Sequence, residues 1–125
     1  MLTLICGLPN SGKTTYANEN YEYVIHYDDV PHITLEEHHR NCIQEILDSD
    51  EKDICVEGVY DKKYRRMALI EACKEQDKKV CVWINTPYEV CLSRKSKPRF
   101  IVEKFYRSFE PPTEDEGWDE IIEVN

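Results

Sequence analysis

The chain has no apolar run approaching the ~20 residues that span a bilayer, no basic excess, no paired-cysteine motif and no internal repeat. Each absence removes a class of function. Without a spanning run, a membrane role is not expected. A formal net charge of −9 excludes a general nucleic-acid coat, because such proteins gain affinity by neutralising phosphates with Lys and Arg. The six cysteines, Cys6, Cys42, Cys55, Cys73, Cys81 and Cys91, are scattered, with no C-x-x-C pair and no histidine at metal-ligand spacing. That pattern argues against a disulfide scaffold or a zinc site. Five of them lie in or beside apolar runs and read as small core hydrophobes in a reducing compartment. The amino terminus lacks the basic and apolar segments of a secretory leader, so a cytoplasmic location is the default expectation. No low-complexity linker divides the chain, and its 125 residues are expected to form a single domain, 1–125.

What is present begins with residues 7 to 14, Gly-Leu-Pro-Asn-Ser-Gly-Lys-Thr. This stretch follows the apolar run Leu2 to Cys6 and precedes a segment that can be helical, Thr15 to Asn20. The pattern G-x-x-x-x-G-K-[ST] between a strand and a helix is a phosphate-binding loop. Gly7 and Gly12 let the backbone turn and approach a ligand, and the loop N–H groups face a phosphate. Pro9, Asn10, Ser11, Lys13, Thr14 and Thr15 complete the candidate cradle. Lys13 supplies a mobile cation for the outer phosphates and the Thr14 hydroxyl is the expected Mg²⁺ ligand. The ligand implied is ATP or another nucleoside triphosphate with Mg²⁺.

Beyond the loop, strands alternate with helices. Residues 23 to 27 read as a second strand, closed by Asp28-Asp29-Val30-Pro31. A helix is expected over 35 to 47 with Thr34 as its N-cap, and His32, His38 and His39 in or near it read as solvated. Residues 53 to 58 suit a buried parallel strand. A helix capped by Asp61 is expected over 62 to 76, with Met67, Leu69, Ile70 and Cys73 as its buried stripe. Residues 79 to 85, apolar on both faces, read as a central strand. Thr86 and Pro87 read as the N-cap and first residue of a short helix ending at Arg94. After a basic loop, Pro98 opens a last helix carrying Phe100, Ile101, Phe105 and Phe109, ended by Pro111-Pro112. Ile121 to Val124 form an edge strand. The expected fold is therefore α/β, three-layered, with a mainly parallel five-stranded sheet and a short lid. Ligands in such sheets bind beyond the carboxyl ends of the strands, which places the loop, Asp28, Glu57 and Asn85 along one edge.

Phosphoryl transfer requires a group to take the acceptor proton and positive charge to stabilise the moving phosphoryl. Asp28 is placed to be the general base, or else the pair Asp28-Asp29 is a turn with a capping acid. Glu57 either holds Mg²⁺ through water or is a solvent-facing strand-end acid. Arg94 and Arg99 flank Lys95-Ser96-Lys97 and suit a lid closing over the triphosphate, or are a solvated helix end. Lys62, Lys63, Arg65 and Arg66 read as an exposed helix start, of interest only where the acceptor is a polyanion.

With these residues in place, the sequence resembles the kinase domain of the polynucleotide 5'-hydroxyl kinase family over nearly its whole length. The resemblance rests on residues 7 to 14, Tyr27-Asp28-Asp29, Arg65-Arg66, and the stretch from Asn85-Thr86-Pro87 to Arg94-Lys95-Ser96-Lys97. It continues in Phe109-Glu110-Pro111-Pro112-Thr113 and Glu116-Gly117-Trp118. It implies an ATP-dependent phosphotransferase with Asp28 as base, Lys13 and Thr14 on ATP and Mg²⁺, and Arg94 on the transferring phosphates. The acceptor it implies is a nucleic-acid 5'-hydroxyl. Two departures leave a smaller hydroxylated metabolite open: Val30-Pro31 stand where the family often has an Arg, and Gly58-Val59-Tyr60 where it tends to have Asp-Thr-Asn. A third alternative is an ATP-binding regulatory module without an acceptor.

Overall fold

The computed structural model describes residues 1–125. Five strands form one sheet in the order β2-β3-β1-β4-β5, and every neighbouring pair is parallel. The strands are β1 (Leu2–Cys6), β2 (Val24–His26), β3 (Ile54–Glu57), β4 (Lys79–Ile84) and β5 (Glu120–Val124). The helices are α1 (Lys13–Asn20), α2 (Leu35–Asp48), α3 (Lys63–Ala72), α4 (Tyr88–Ser93) and α5 (Arg99–Ser108). No helix is long and apolar enough to cross a membrane. β1 lies in the middle of the sheet with β4 beside it as an interior strand, and all five β1 residues are buried. An interior parallel strand buries both faces, which is why β1, β3 and β4 lack polar alternation.

Alternate residues feed two cores. On one face Leu2, Leu4, Val56 and Cys81 pack with Cys42 and Ile46 of α2, with Leu69 of α3 and with Cys73 at the end of α3. On the other, Ile5, Cys55, Val80 and Val82 pack with Ala17 of α1. The cysteines are all buried and all free, consistent with small apolar fillers. β5 pairs with β4 as the expected edge strand.

Several local expectations are corrected. The stripe that α3 buries is Arg66, Leu69, Ile70 and Cys73, not one beginning at Met67, which is 43% exposed. That is regular helical spacing with an arginine in an apolar position. Arg66 is fully buried because Glu116, 50 residues later, meets it with two bonds, Nε to Oε1 at 2.7 Å and Nη2 to Oε2 at 2.9 Å. Its Nη1 donates to the Tyr60 carbonyl at 2.7 Å. Burial alone would raise the Glu116 carboxyl, but hydrogen bonds from Arg66, the Thr113 N–H and Trp118 hold it below the usual range.

His38 is not solvated, and His39 is half-buried. His38 is buried between the rings of His32 (centroids 3.6 Å) and Tyr27 (3.7 Å), and its Nε2 lies 2.5 Å from the Tyr27 carbonyl. β2 stops at His26, and Tyr27–Asp29 form a single 3₁₀ turn. Asp61 does not cap α3. It accepts from Ser108 at 2.5 Å, while the Lys63 N–H is satisfied by Glu110 at 3.0 Å. Thr86 does not cap α4. Its hydroxyl donates to the Ser11 carbonyl at 2.7 Å, and Pro87 occupies the cap position. Phe100 is 67% exposed, and α5 ends before Phe109, whose ring centroid lies 6.1 Å from that of Trp83. For Arg66, Asp61 and Thr86 the partner that decides the outcome is remote in sequence.

Candidate active site

The loop joining β1 to α1 closes around two glycines. Gly12 has φ +100, a left-handed conformation that glycine adopts without penalty. A Cβ on Gly7 would lie 2.6 Å from the Ile84 carbonyl, so only glycine lets the loop pass the end of β4. Asn10 is also left-handed, at φ 67, a region Asn visits more readily than most residues. α1 begins at Lys13, two residues earlier than expected, so the end of the motif is already the first helical turn.

Within this cradle the Lys13 ammonium donates to the Leu8 carbonyl at 2.9 Å. Burial lowers its pKa, and the carboxylates of Glu57 and Asp28 work against that shift. The Ser11 hydroxyl is buried and has no hydrogen-bond partner. Thr14 Oγ1 donates to Glu57 Oε1 at 3.0 Å, and His26 Nδ1 lies 3.0 Å from Glu57 Oε2. Glu57 is only 6% exposed, so the solvent-facing alternative does not hold. The sheet register sets this chain of contacts: His26 and Glu57 are paired residues at the carboxyl ends of β2 and β3.

The Thr14 hydroxyl and the Glu57 carboxylate are hard oxygen donors side by side, the chemistry Mg²⁺ selects. No group of three His, Cys, Asp or Glu residues able to hold a metal exists anywhere in the chain. Mg²⁺ is commonly held by one or two protein oxygens with phosphates and water. The residues therefore fit Mg²⁺.

A cleft of about 1220 Å³ opens at the carboxyl edge of the sheet. One wall is the loop, from Pro9 to Thr15. Asp28 enters from the 3₁₀ turn, and Arg94 and Lys97 from the segment between α4 and α5. Lys97 Nζ stands 3.9 Å from Asp28 Oδ2. Gly7 and Arg99 are not on this lining. Gly7 is buried beneath the loop, and Arg99 is exposed and pairs with Glu103 at 3.8 Å.

The far wall comes from the β3–α3 loop, α3 and α5. It carries Lys62, Tyr64, Arg65, Lys104 and Phe105. The basic cluster at the start of α3 thus divides three ways. Lys62 and Arg65 reach the cleft, Lys63 pairs with Asp115 at 3.2 Å, and Arg66 lies in the core. Sequence reasoning missed His26 and Lys104 as site-supporting or cleft residues, and it placed Lys97 in the lid without its contact to Asp28. No local motif marks them. Only the β2–β3 pairing and the placement of α5 bring them in.

No protein-family model matches the sequence, and no curated protein matches it. Solved structures do. The chain is similar to a gluconokinase from Sinorhizobium meliloti 1021 with a TM-score of 0.66 at 17% identity, covering 98% of this chain and 80% of that one. It is similar to a fungal RNA kinase with a TM-score of 0.67 at 13% identity, covering 99% of this chain but 38% of that one. A third structure, of APE1195, gives a TM-score of 0.64 at 21% identity, covering 98% of this chain and 83% of that one. With its parallel five-stranded sheet and its glycine loop between β1 and α1, the chain has the fold of P-loop kinases.

Proposed function

We propose that the protein is an ATP-dependent kinase that transfers the γ-phosphoryl group to a hydroxyl acceptor. The observation that carries this reading is the presence of Asp28 in the same cleft as Lys13, Thr14 and Arg94. A nucleotide switch has no need of a carboxylate facing its phosphate loop. An acceptor hydroxyl does.

In this reading Asp28 takes the proton from the acceptor hydroxyl, whose oxygen bonds to the γ-phosphorus as the bond from that phosphorus to the ADP oxygen breaks. Lys97 stands beside Asp28, with Nζ 3.9 Å from Oδ2. Lys13 leaves the Leu8 carbonyl for the phosphates. Arg94, with Lys13, meets the charge that spreads over the transferring group. Mg²⁺, held by Thr14 and through Glu57, would supply further neutralisation of the phosphate oxygens. Arg99, exposed and paired outside the cleft, is left out of this set.

A nucleic-acid 5'-hydroxyl is the leading acceptor. Support comes from the resemblance in sequence, from the likeness in fold to a fungal RNA kinase, and from Lys62, Arg65 and Lys104 with the exposed Tyr64 on the far wall. A small hydroxylated metabolite is the second reading, favoured by Val30-Pro31, by the acidic surface and by the likeness to a gluconokinase. A cytoplasmic setting belongs to the same reading, supported by six free cysteines.

Transfer of labelled γ-phosphate from ATP with Mg²⁺ tests it. The acceptors are a 5'-hydroxyl oligonucleotide and, in parallel, a pool of nucleosides, nucleoside monophosphates and gluconate. Label on the oligonucleotide supports the leading acceptor, and label only in the pool supports the second reading. ATP binding with no label in either sinks both and favours a regulatory module.

A further inference from the structure

The Asn10 side chain does more than line a phosphate loop. Its Nδ2 lies 3.1 Å from each of three carbonyls, those of Cys91, Arg94 and Lys97. Its Oδ1 accepts from the Lys97 N–H at 2.9 Å. In return Arg94 Nη1 donates to the Asn10 carbonyl at 2.8 Å. The amide has two N–H groups for three carbonyls, so it shares them across the whole turn. One of those carbonyls belongs to the last turn of α4, a helix end that leaves its carbonyls unpaired unless a partner comes from outside. The segment it grips is exposed and has no secondary structure of its own. The hydrogen bonds that Arg94 and Lys97 make all end on Asn10, and the one other polar tie here is the contact of Lys97 with Asp28.

We infer that Asn10 is a positioning residue, a latch that fixes the Arg94 to Lys97 segment to the phosphate loop and so sets where both cations stand in the cleft. Arg94 and Lys97 are long and flexible, and ordering them costs entropy at every turnover unless the backbone that carries them is already fixed. The side-chain amide of Asn10 does that fixing. Its catalytic half rests on the kinase reading, while its structural half does not.

Two roles must be separated, because the left-handed φ of 67 would itself select Asn or Gly at this position. Asn10→Gly keeps the backbone conformation and deletes the amide. If the residue serves only the turn, this variant behaves as wild type. If it is the latch, trypsin cuts the folded protein faster after Arg94 and Lys95, the Lys97–Pro98 bond being resistant. The kcat falls by roughly tenfold, the scale of one or two lost hydrogen bonds, with ATP affinity within about threefold of wild type. Should Asn10→Gly not fold, Asn10→Asp serves instead. It tolerates the left-handed backbone but sets a carboxylate oxygen against the three carbonyls, and it too is expected to open the segment to trypsin. Wild-type cutting rates in the variant overturn the inference. So does a kcat loss matched by an equal loss of ATP affinity with cutting unchanged, which assigns Asn10 to the cradle alone. If wild type transfers no phosphate to any acceptor, the kinase reading fails while the cutting rates still decide the latch.

Discussion

Thr14 Oγ1 and Glu57 Oε1 share a hydrogen bond of 3.0 Å across 43 residues of sequence, and His26 holds the other carboxylate oxygen. The hydroxyl assigned to Mg²⁺ and the acid assigned to its water shell are thus one unit, clamped from β2. Glu57→Gln keeps an acceptor for Thr14 and removes the charge. The Mg²⁺ concentration giving half-maximal transfer is expected to rise roughly 10- to 100-fold, the usual cost of losing such a supporting group. A magnesium titration of activity checks it, and an unchanged midpoint removes Glu57 from the metal site.

In the proposed mechanism Asp28 serves the chemistry alone, while Lys13 serves both ATP binding and transfer. Asp28→Asn is expected to lower transfer by about 10²- to 10⁴-fold, the range for loss of a positioned base, with ATP affinity nearly intact. Lys13→Ala is expected to weaken both. Calorimetric ATP titration beside turnover measurement separates the two, and unchanged turnover in Asp28→Asn would refute the base assignment.

The Arg66–Glu116 pair sits in the core with no exposure on either side chain. Arg66→Met leaves a buried carboxylate unpaired and is expected to cost about 3–5 kcal/mol. The double variant Arg66→Met, Glu116→Gln, which removes that charge, is expected to recover part of the loss. Urea unfolding of the single and double variants gives the coupling directly. Additive losses would show that the pair contributes nothing as a pair.

His39 is half-buried beside the Tyr27 hydroxyl at 3.1 Å. Burial lowers its pKa from 6.5 to about 4, aided by Arg65 and His38 and opposed by Glu36 and Asp61. Between those values the unfolded chain binds the proton and the folded one does not, so stability rises with pH across this window. Its contribution is complete above pH 6.5 and is lost as pH falls toward 4. In His39→Gln, urea midpoints are expected to decline less steeply from pH 6.5 to 4 than in wild type. Parallel declines would show that His39 does not titrate in this way.

The sequence was informative wherever function depends on neighbouring residues. Gly7, Gly12, Lys13 and Thr14 make a phosphate loop through their own backbone and spacing, and the alternation of apolar strands with helices led to a parallel sheet with Asp28 and Glu57 at one edge. Local periodicity could also place a stripe on α3, though not its phase, because an arginine occupies an apolar position.

Tertiary structure decided every relationship between remote partners. Glu116 makes Arg66 a core residue, the β2–β3 register gives Glu57 its histidine, and the His32 and Tyr27 rings bury His38. The packing of α4 and α5 sets Arg94 and Lys97 over Asn10 while leaving Arg99 outside. A motif states which groups are available. A buried polar side chain takes whichever partner the folded backbone brings within hydrogen-bond reach, since leaving it unpaired costs more than the bond itself is worth, and that choice is made only once the elements have packed.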